Sequence, residues 1–218
     1  MTTHNIKFID LFCGIGSFHY SFKKLGFECV MASDIYKAAE ENYKENYKMD
    51  ILGDICDIEP SKLVQYDILC AGFPCQPFSQ AGLGKGFEDS RGTMFSQVMR
   101  FVIKNSPKIV ILENVQALLN HDKGKSFQKI KTELEEQGYS IVYKVLKCSD
   151  YGIPQMRKRL FIIGFKNIEV NNIEKFFDLK EYEKKVTLTE YLGKNFVKET
   201  AYTIRCGGGG SPIDDRHN

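Results

Sequence analysis

An α/β fold built on an open, mostly parallel sheet is predicted by three features of this 218-residue chain. Apolar β-rich runs alternate with segments of helical periodicity, the first run ends in a glycine turn, and the last two runs follow each other with no helical pattern between them. The first element is "NIKFIDLF", followed by "GSFHYSFKKLGF", whose Phe18, Phe22 and Leu25 have helical spacing until Gly26 stops it. "ECVMASD" is a second strand, "IYKAAEENYKENY" a polar helix, "YDILCAG" a third strand, and "KIVILEN" a fourth after the helical "GTMFSQVMRFVIKN". Strands joined by helical crossovers run parallel with helices on both faces, and ligands are expected at their carboxyl ends. "YSIVYKVL" and "RLFIIGF" then form an antiparallel pair at the sheet edge. After them the rhythm breaks, which divides residues 1–168 from an extension, 169–218. There "NIEVNNIEKFFDLKEYEKK" is charged and helical or loosely ordered, and "CGGGGSP" is no regular element, because its glycines carry too much backbone entropy.

Composition narrows the class. With 43% hydrophobic and 27% charged residues the chain can bury the core of one ordinary domain. A net charge of +2 argues for no polyanion partner by itself, although a local basic patch remains compatible with one. "MTTHNIKFIDLF" lacks the apolar segment of a signal peptide, and no stretch approaches the ~20 apolar residues of a membrane span. A cytoplasmic protein without membrane association is therefore expected. Seven cysteines without a C-x-x-C pair fit neither a disulfide framework nor a zinc site, so no metal is expected. Cys29, Cys56, Cys70 and Cys148 sit beside apolar runs and read as small hydrophobes.

The strand ends carry the chemistry. "DLFCGIGSF" places Gly14 and Gly16 where the first helix begins, a turn that lets a ligand touch bare backbone, or simply a tight strand-to-helix turn. A full dinucleotide fingerprint needs a third glycine where His19 stands. Asp34 ends the second strand, where a carboxylate accepts hydrogen bonds from ribose hydroxyls. Asp54 offers a contact to an adenine amine, or is a solvated loop aspartate. Nothing in this set suits a pyrophosphate, and a nucleoside ligand such as S-adenosylmethionine fits better. Cys75 lies on the loop leaving the third strand, with Pro74 and Pro77 fixing φ on either side, which favours an aimed nucleophile over a core thiol. Glu113 and Asn114 follow an apolar run at the end of the fourth strand, where an apolar-flanked carboxyl holds its proton more tightly and could donate it. Gln155, Arg157 and Arg159 alternate along an extended segment and share a face, either toward one pocket or as a solvated basic edge.

"DLFCGIGSF", "GFPCQPFS", "GFEDSRGTMF", "ENV" and "QMRKR", in this order and spacing, resemble the motif blocks of the C5-cytosine DNA methyltransferases. The resemblance runs from about Phe8 to Phe165, and "TIRCGGGGSPIDDRHN" is similar to the segment that opens the target-recognition region of restriction-modification members. It implies a Rossmann-like, seven-stranded, mostly parallel sheet of the S-adenosylmethionine-dependent methyltransferase type, occupying residues 1–168. It further implies that Cys75 adds to C6 of a cytosine flipped out of double-stranded DNA, that Glu113 serves N3, and that Arg157 and Arg159 flank the base and the nucleophile. Phe12, Gly14, Gly16, Asp34, Ile35, Asp54 and Ile55 would hold the S-adenosyl-L-methionine. Pro74, Gln76, Ser79, Asn114 and Gln155 would line the target side, with Arg91 a loop contact and Gly82, Gly84 and Gly86 easing closure of the loop after Cys75. The family's variable recognition region and closing helix are expected from elsewhere, as a missing part or a second polypeptide. A transfer RNA cytosine-5 methyltransferase and a non-catalytic cofactor-binding subunit are the competing readings. A thiol redox or hydrolytic enzyme fits poorly, since no resolving cysteine or histidine dyad accompanies Cys75.

Overall fold

Apolar runs with little alternation suit strands covered on both faces, and the computed structural model places them so. It describes residues 5–74, 94–169, 171, 173–180 and 185–202. Six strands among them, β1 (Lys7–Leu11), β2 (Glu28–Ser33), β3 (Ile68–Ala71), β4 (Ile109–Val115), β5 (Tyr139–Lys147) and β6 (Lys158–Lys166), form one sheet in the order β2-β1-β3-β4-β6-β5. β1 is parallel to β2 and β3, and β3 to β4. β6 runs antiparallel to β4, with β5 beside it at the edge, where the absence of a helical pattern between the last two runs predicts a pair.

Successive residues of each strand serve opposite faces. Ile9, Leu11, Leu69, Ala71, Val110 and Leu112 join one core, which α3 (Met94–Asn105) covers with Phe95, Val98 and Val102. Phe8, Ile68 and Cys70 face the other side, toward Phe18 and Phe22 of α1 (Ser17–Lys23). Tyr43 of α2 (Lys37–Tyr47) packs there with Cys13 and Ala32. Among the described residues α4 (Lys125–Glu136) is additional to the predicted elements. Bounded by Gly124 and Gly138, it buries Phe127, Ile130 and Leu134 in the first core. No helix among the described residues is long and apolar enough to cross a membrane.

The resemblance implies seven strands, of which six are found among the described residues. Outside β2 the place of a further strand is held by one parallel bridge, Ser33 to Leu52. The Leu52 N–H donates to the Ala32 carbonyl (2.8 Å) and the Asp34 N–H to the Leu52 carbonyl (3.0 Å). The extended chain ends there because Asp54 caps the turn Ile55–Asp57.

The chain divides into two compact units, Met1–Val145 with Arg159–Leu179, and Leu146–Lys158 with Lys180–Asn218. In the second, a capping box between Thr187 and Glu190 starts α5 (Leu188–Leu192). The Met156 N–H donates to the Ala201 carbonyl and the Ala201 N–H to the Pro154 carbonyl, each at 2.8 Å.

Asp10 is the exception inside the sheet. It is fully buried, and among the described residues neither carboxyl oxygen has a partner at good hydrogen-bond geometry. Burial pushes its pKa well above the usual carboxylate range, the nearby His19 backbone N–H offsets part of this, and Asp34 adds repulsion. Above pH ~4 the unfolded chain releases this proton while the native carboxyl keeps it, so Asp10 lowers stability as pH rises toward its native pKa. Asp10→Asn is therefore expected to be more stable than the parent at pH 8 by about 1–2 kcal/mol, with the advantage fading toward pH 4. Urea midpoints at the two pH values check this. A variant weaker than the parent at pH 8 would mean that the carboxylate is ionised and held.

Candidate functional site

β1 cannot run straight into α1, and the turn between them is made by three positive φ angles. Phe12 has φ +55°, Gly14 +52° and Gly16 +82°. For an aromatic residue such as Phe12 this costs about 1–2 kcal/mol, a strain of the kind held at ligand sites. The Gly14 N–H donates to Asp34 Oδ2 (2.8 Å), and the Tyr36 N–H donates to Asp34 Oδ1 (2.8 Å). Asp34 thus ties the ends of β1 and β2 together with a fixed carboxylate, and each of its oxygens keeps a second lone pair for a donor such as a hydroxyl.

The two glycines differ. Among the described residues a Cβ on Gly14 would meet nothing within 4 Å, so they leave this backbone open to a ligand. On Gly16 it would lie 2.4 Å from Tyr47 Cε2 and 2.9 Å from Tyr43 Cε2. The Gly16 N–H donates to the Cys13 carbonyl (2.8 Å), and its carbonyl accepts from the Tyr20 N–H (2.8 Å) and the Tyr47 hydroxyl (2.8 Å). The bare backbone expected at both positions therefore belongs to Gly14, while Gly16 is where α2 closes on the turn. His19, in place of the third glycine, stacks on Tyr47 with centroids 3.9 Å apart. Gly16→Ala is expected to cost about 2–4 kcal/mol, left-handed strain plus overpacking. Urea unfolding checks this, and an unchanged midpoint would show that the tyrosines give way.

Near Asp34, the Ile35 side chain is 77% exposed and available to flank a ligand. Asp54 Oδ1 accepts from the Cys56 N–H (2.8 Å), and the Leu52 bridge brings this loop alongside the end of β2. Ile55, expected to hold the cofactor, is 3% exposed and lies in the main core.

The other end of the site assembles on β3, β4 and β6. The antiparallel register sets Glu113 opposite Phe161 and Val115 opposite Arg159, making Glu113 and Arg159 diagonal neighbours on one face. Their ion pair, Arg159 Nε to Glu113 Oε1, is 2.8 Å long, with side chains 21% and 22% exposed respectively. Glu113 is thus half-buried and bonded to the Arg159 guanidinium, rather than flanked by apolar groups alone as its neighbours in sequence suggest. The absence of a side chain at Gly72 leaves room beside it. A Cβ there would be 3.6 Å from Glu113 Oε2 and 3.9 Å from the Phe12 carbonyl oxygen. Gly72 therefore marks where the β1 turn and the β4 carboxylate meet. Nothing in "CAGFP" distinguishes it without knowledge of that register.

Asn114 is buried, and its side chain bonds backbone on both sides. Nδ2 donates to the Phe73 carbonyl (2.9 Å) and Oδ1 accepts from the Val115 N–H (2.9 Å). It anchors the chain just before Pro74, which is exposed. Cys75, Gln76, Ser79, Gly82, Gly84, Gly86 and Arg91 lie outside the described residues. In the second unit Gln155 and Arg157 are half-buried between exposed Ile153, Met156 and Lys158. Gln155 forms a parallel bridge with Ala201, and the Arg157 carbonyl accepts from the Cys148 N–H (2.9 Å). Among the described residues no group of His, Cys, Asp and Glu could hold a metal ion.

A family model described as C-5 cytosine-specific DNA methylase matches residues 6–206. The Type II methyltransferase M.HhaI of Haemophilus parahaemolyticus is 42% identical over 188 residues, 85% of this chain and 58% of that protein. The Type II methyltransferase M.DsaV of Dactylococcopsis salina is 39% identical over 206 residues, 94% of this chain and 57% of that protein. The chain thus spans little more than half the length of these curated relatives. In fold it is similar to the crystal structure of the S. pombe Dnmt2 methyltransferase, with TM-score 0.64, 22% identity, and coverage of 86% of this chain and 60% of the other.

Proposed function

Because the chain belongs to the C-5 cytosine-specific DNA methylase family, we propose that it carries the catalytic part of an enzyme that methylates C5 of cytosine in DNA, with S-adenosylmethionine as methyl donor. The observation that carries this reading is that the side-chain space of Gly72 is bordered on one side by the Glu113 carboxyl, bonded to Arg159, and on another by the carbonyl of strained Phe12. It sets a candidate catalytic acid beside a turn open to a nucleoside.

The cofactor turn fits the donor. Gly14 leaves its backbone uncovered, Asp34 is fixed to receive ribose hydroxyls, and Phe12, Ile35 and Asp54 stand around them. When bound, S-adenosylmethionine supplies an electrophilic methyl group on a sulfonium. Cytosine C5 is too weak a nucleophile to take it unaided. The Cys75 thiolate adds to C6, the ring becomes an enamine, and the negative charge that develops toward N3 is relieved by a proton held by Glu113. Arg159 orients Glu113 and faces the base, with Arg157 beside the nucleophile. After C5 has accepted the methyl group, N3 returns its proton to Glu113, and loss of the C5 proton to water with expulsion of the thiolate restores the ring and returns Cys75 to its starting state. A stacked base offers no path to C6, so the cytosine is flipped out, with Pro74, Gln76, Ser79, Asn114 and Gln155 on the target side.

Residues 1–168 are then the methyltransferase domain and 169–218 the beginning of a target-recognition region. Choice of DNA sequence and closure of the cofactor pocket fall to a further part, on the same or a second polypeptide, and the enzyme acts in the cytoplasm. The test is tritiated-methyl transfer to mixed-sequence DNA by residues 1–218, alone and with a recognition region supplied. Incorporation only in the combined reaction is expected. Transfer to transfer RNA but not to DNA would overturn the reading, and full activity of residues 1–218 alone would remove the need for a further part.

A further inference from the structure

We propose that Tyr47 is the positioning residue of the cofactor turn, whose side chain holds Gly16 in the left-handed conformation that presents Gly14 to S-adenosylmethionine. The inference rests on the proposed function, which assigns the ligand of that turn.

Tyr47 closes α2, far from the Gly14 backbone in sequence, yet its hydroxyl donates to the Gly16 carbonyl at 2.8 Å and lies 3.4 Å from the Ile15 carbonyl. With the Tyr20 N–H as second donor, both lone pairs of the Gly16 oxygen are engaged, which fixes the peptide plane. One edge of the Tyr47 ring occupies the space beside Gly16 that a Cβ would fill. The His19 ring stacks on it, interplanar angle 12°, and His19 Nδ1 shares a 2.7 Å hydrogen bond with the hydroxyl of Tyr43, one helical turn before Tyr47. Burial, then Lys23, lowers the His19 pKa to about 4, so the stacked ring is neutral at physiological pH. The phenol is thereby clamped between His19 and Gly16 and has one aim for its hydroxyl. The turn it tethers carries strain at Phe12, and its backbone bonds, Cys13 N–H to the Ser33 carbonyl and Gly16 N–H to the Cys13 carbonyl, hold its middle. Asp34 secures the Gly14 end and Tyr47 the Gly16 end.

Tyr47→Phe separates tether from packing, since the ring stays and the hydroxyl goes. Tyr43→Phe is the control, because it removes the His19 hydrogen bond and leaves the tether. Calorimetric titration of residues 1–218 with S-adenosylhomocysteine is expected to show binding weakened about three- to ten-fold by Tyr47→Phe and nearly unchanged by Tyr43→Phe. Amide hydrogen exchange, followed without ligand, is expected to quicken at residues 14–17 in Tyr47→Phe alone. In the enzyme completed with its recognition region, the KM for S-adenosylmethionine should rise with kcat retained. Parental binding and exchange in Tyr47→Phe overturn the proposal. So do equal losses in both variants accompanied by equal falls in melting temperature, which indicate a merely structural role. If the parent chain and the completed enzyme both fail to bind S-adenosylhomocysteine, the functional reading falls instead, and the ligand-free exchange still decides whether Tyr47 holds the turn.

Discussion

Cys75→Ser is expected to abolish methyl transfer, a loss of roughly 10⁴-fold or more, while cofactor affinity stays within about two-fold of the parent. Serine keeps the shape and hydrogen bonding of the residue but replaces a thiolate available near neutral pH by a hydroxyl that ionises far above it. Three other thiols make poor substitutes. Burial pushes Cys13 and Cys70 well above the ordinary thiol range and Cys29 up to about 12. Cys29 and Cys70 lie on β2 and β3 and Cys13 in the turn after β1, all packed into the cores on the α1 and α2 side. Cys75, by contrast, follows Phe73, which Asn114 anchors, and exposed Pro74. DNA containing 5-fluorocytosine, which blocks the final elimination, should trap the completed enzyme as an adduct at Cys75. An adduct mapped to another cysteine would sink the assignment.

Glu113→Gln should lower kcat by about 10²–10³-fold, with the KM for S-adenosylmethionine changed little. The amide keeps the volume beside Gly72 and can still accept from Arg159, but it has no acidic proton for N3. Arg159→Lys tests the other partner. A lysine preserves the charge and loses the planar fork that aims the carboxylate, so a smaller but definite fall in kcat is expected. Single-turnover rates separate these effects from binding. A parental rate in Glu113→Gln would return the ion pair to a purely structural role.

How much could be read in advance depended on which part of the physics is local. β1 through β4 stood out because each is a short apolar run between breakers, and the helices between them followed from the spacing of residues such as Phe18 and Phe22. Glu113, Asn114 and Arg159 were identifiable singly, because each sits at a strand end. Their partners were not, since the Glu113–Arg159 contact depends on the register of two antiparallel strands and the Asn114–Phe73 bond on the neighbouring strand's exit. Ile55 shows the same limit, for nothing in its neighbours marks it as a core residue of the sheet. α4 carried its own signal in Phe127, Ile130 and Leu134, masked by the charged residues between them. The left-handed Phe12 left no mark at all, because the turn imposes that conformation on a residue type that disfavours it.

The contact between Gly16 and Tyr47 also bears on how this turn can change by mutation. A methyl group at position 16 meets an aromatic carbon at 2.4 Å, so that position should accept substitution only together with a smaller residue at 47. A randomised library would then recover changes at the two sites as joint events, each harmful alone. Position 14 has open space around it and is limited by its φ, which asparagine tolerates better than other side chains. Engineering for an altered sulfonium donor should therefore begin with single changes there, and treat 16 and 47 as one inherited unit.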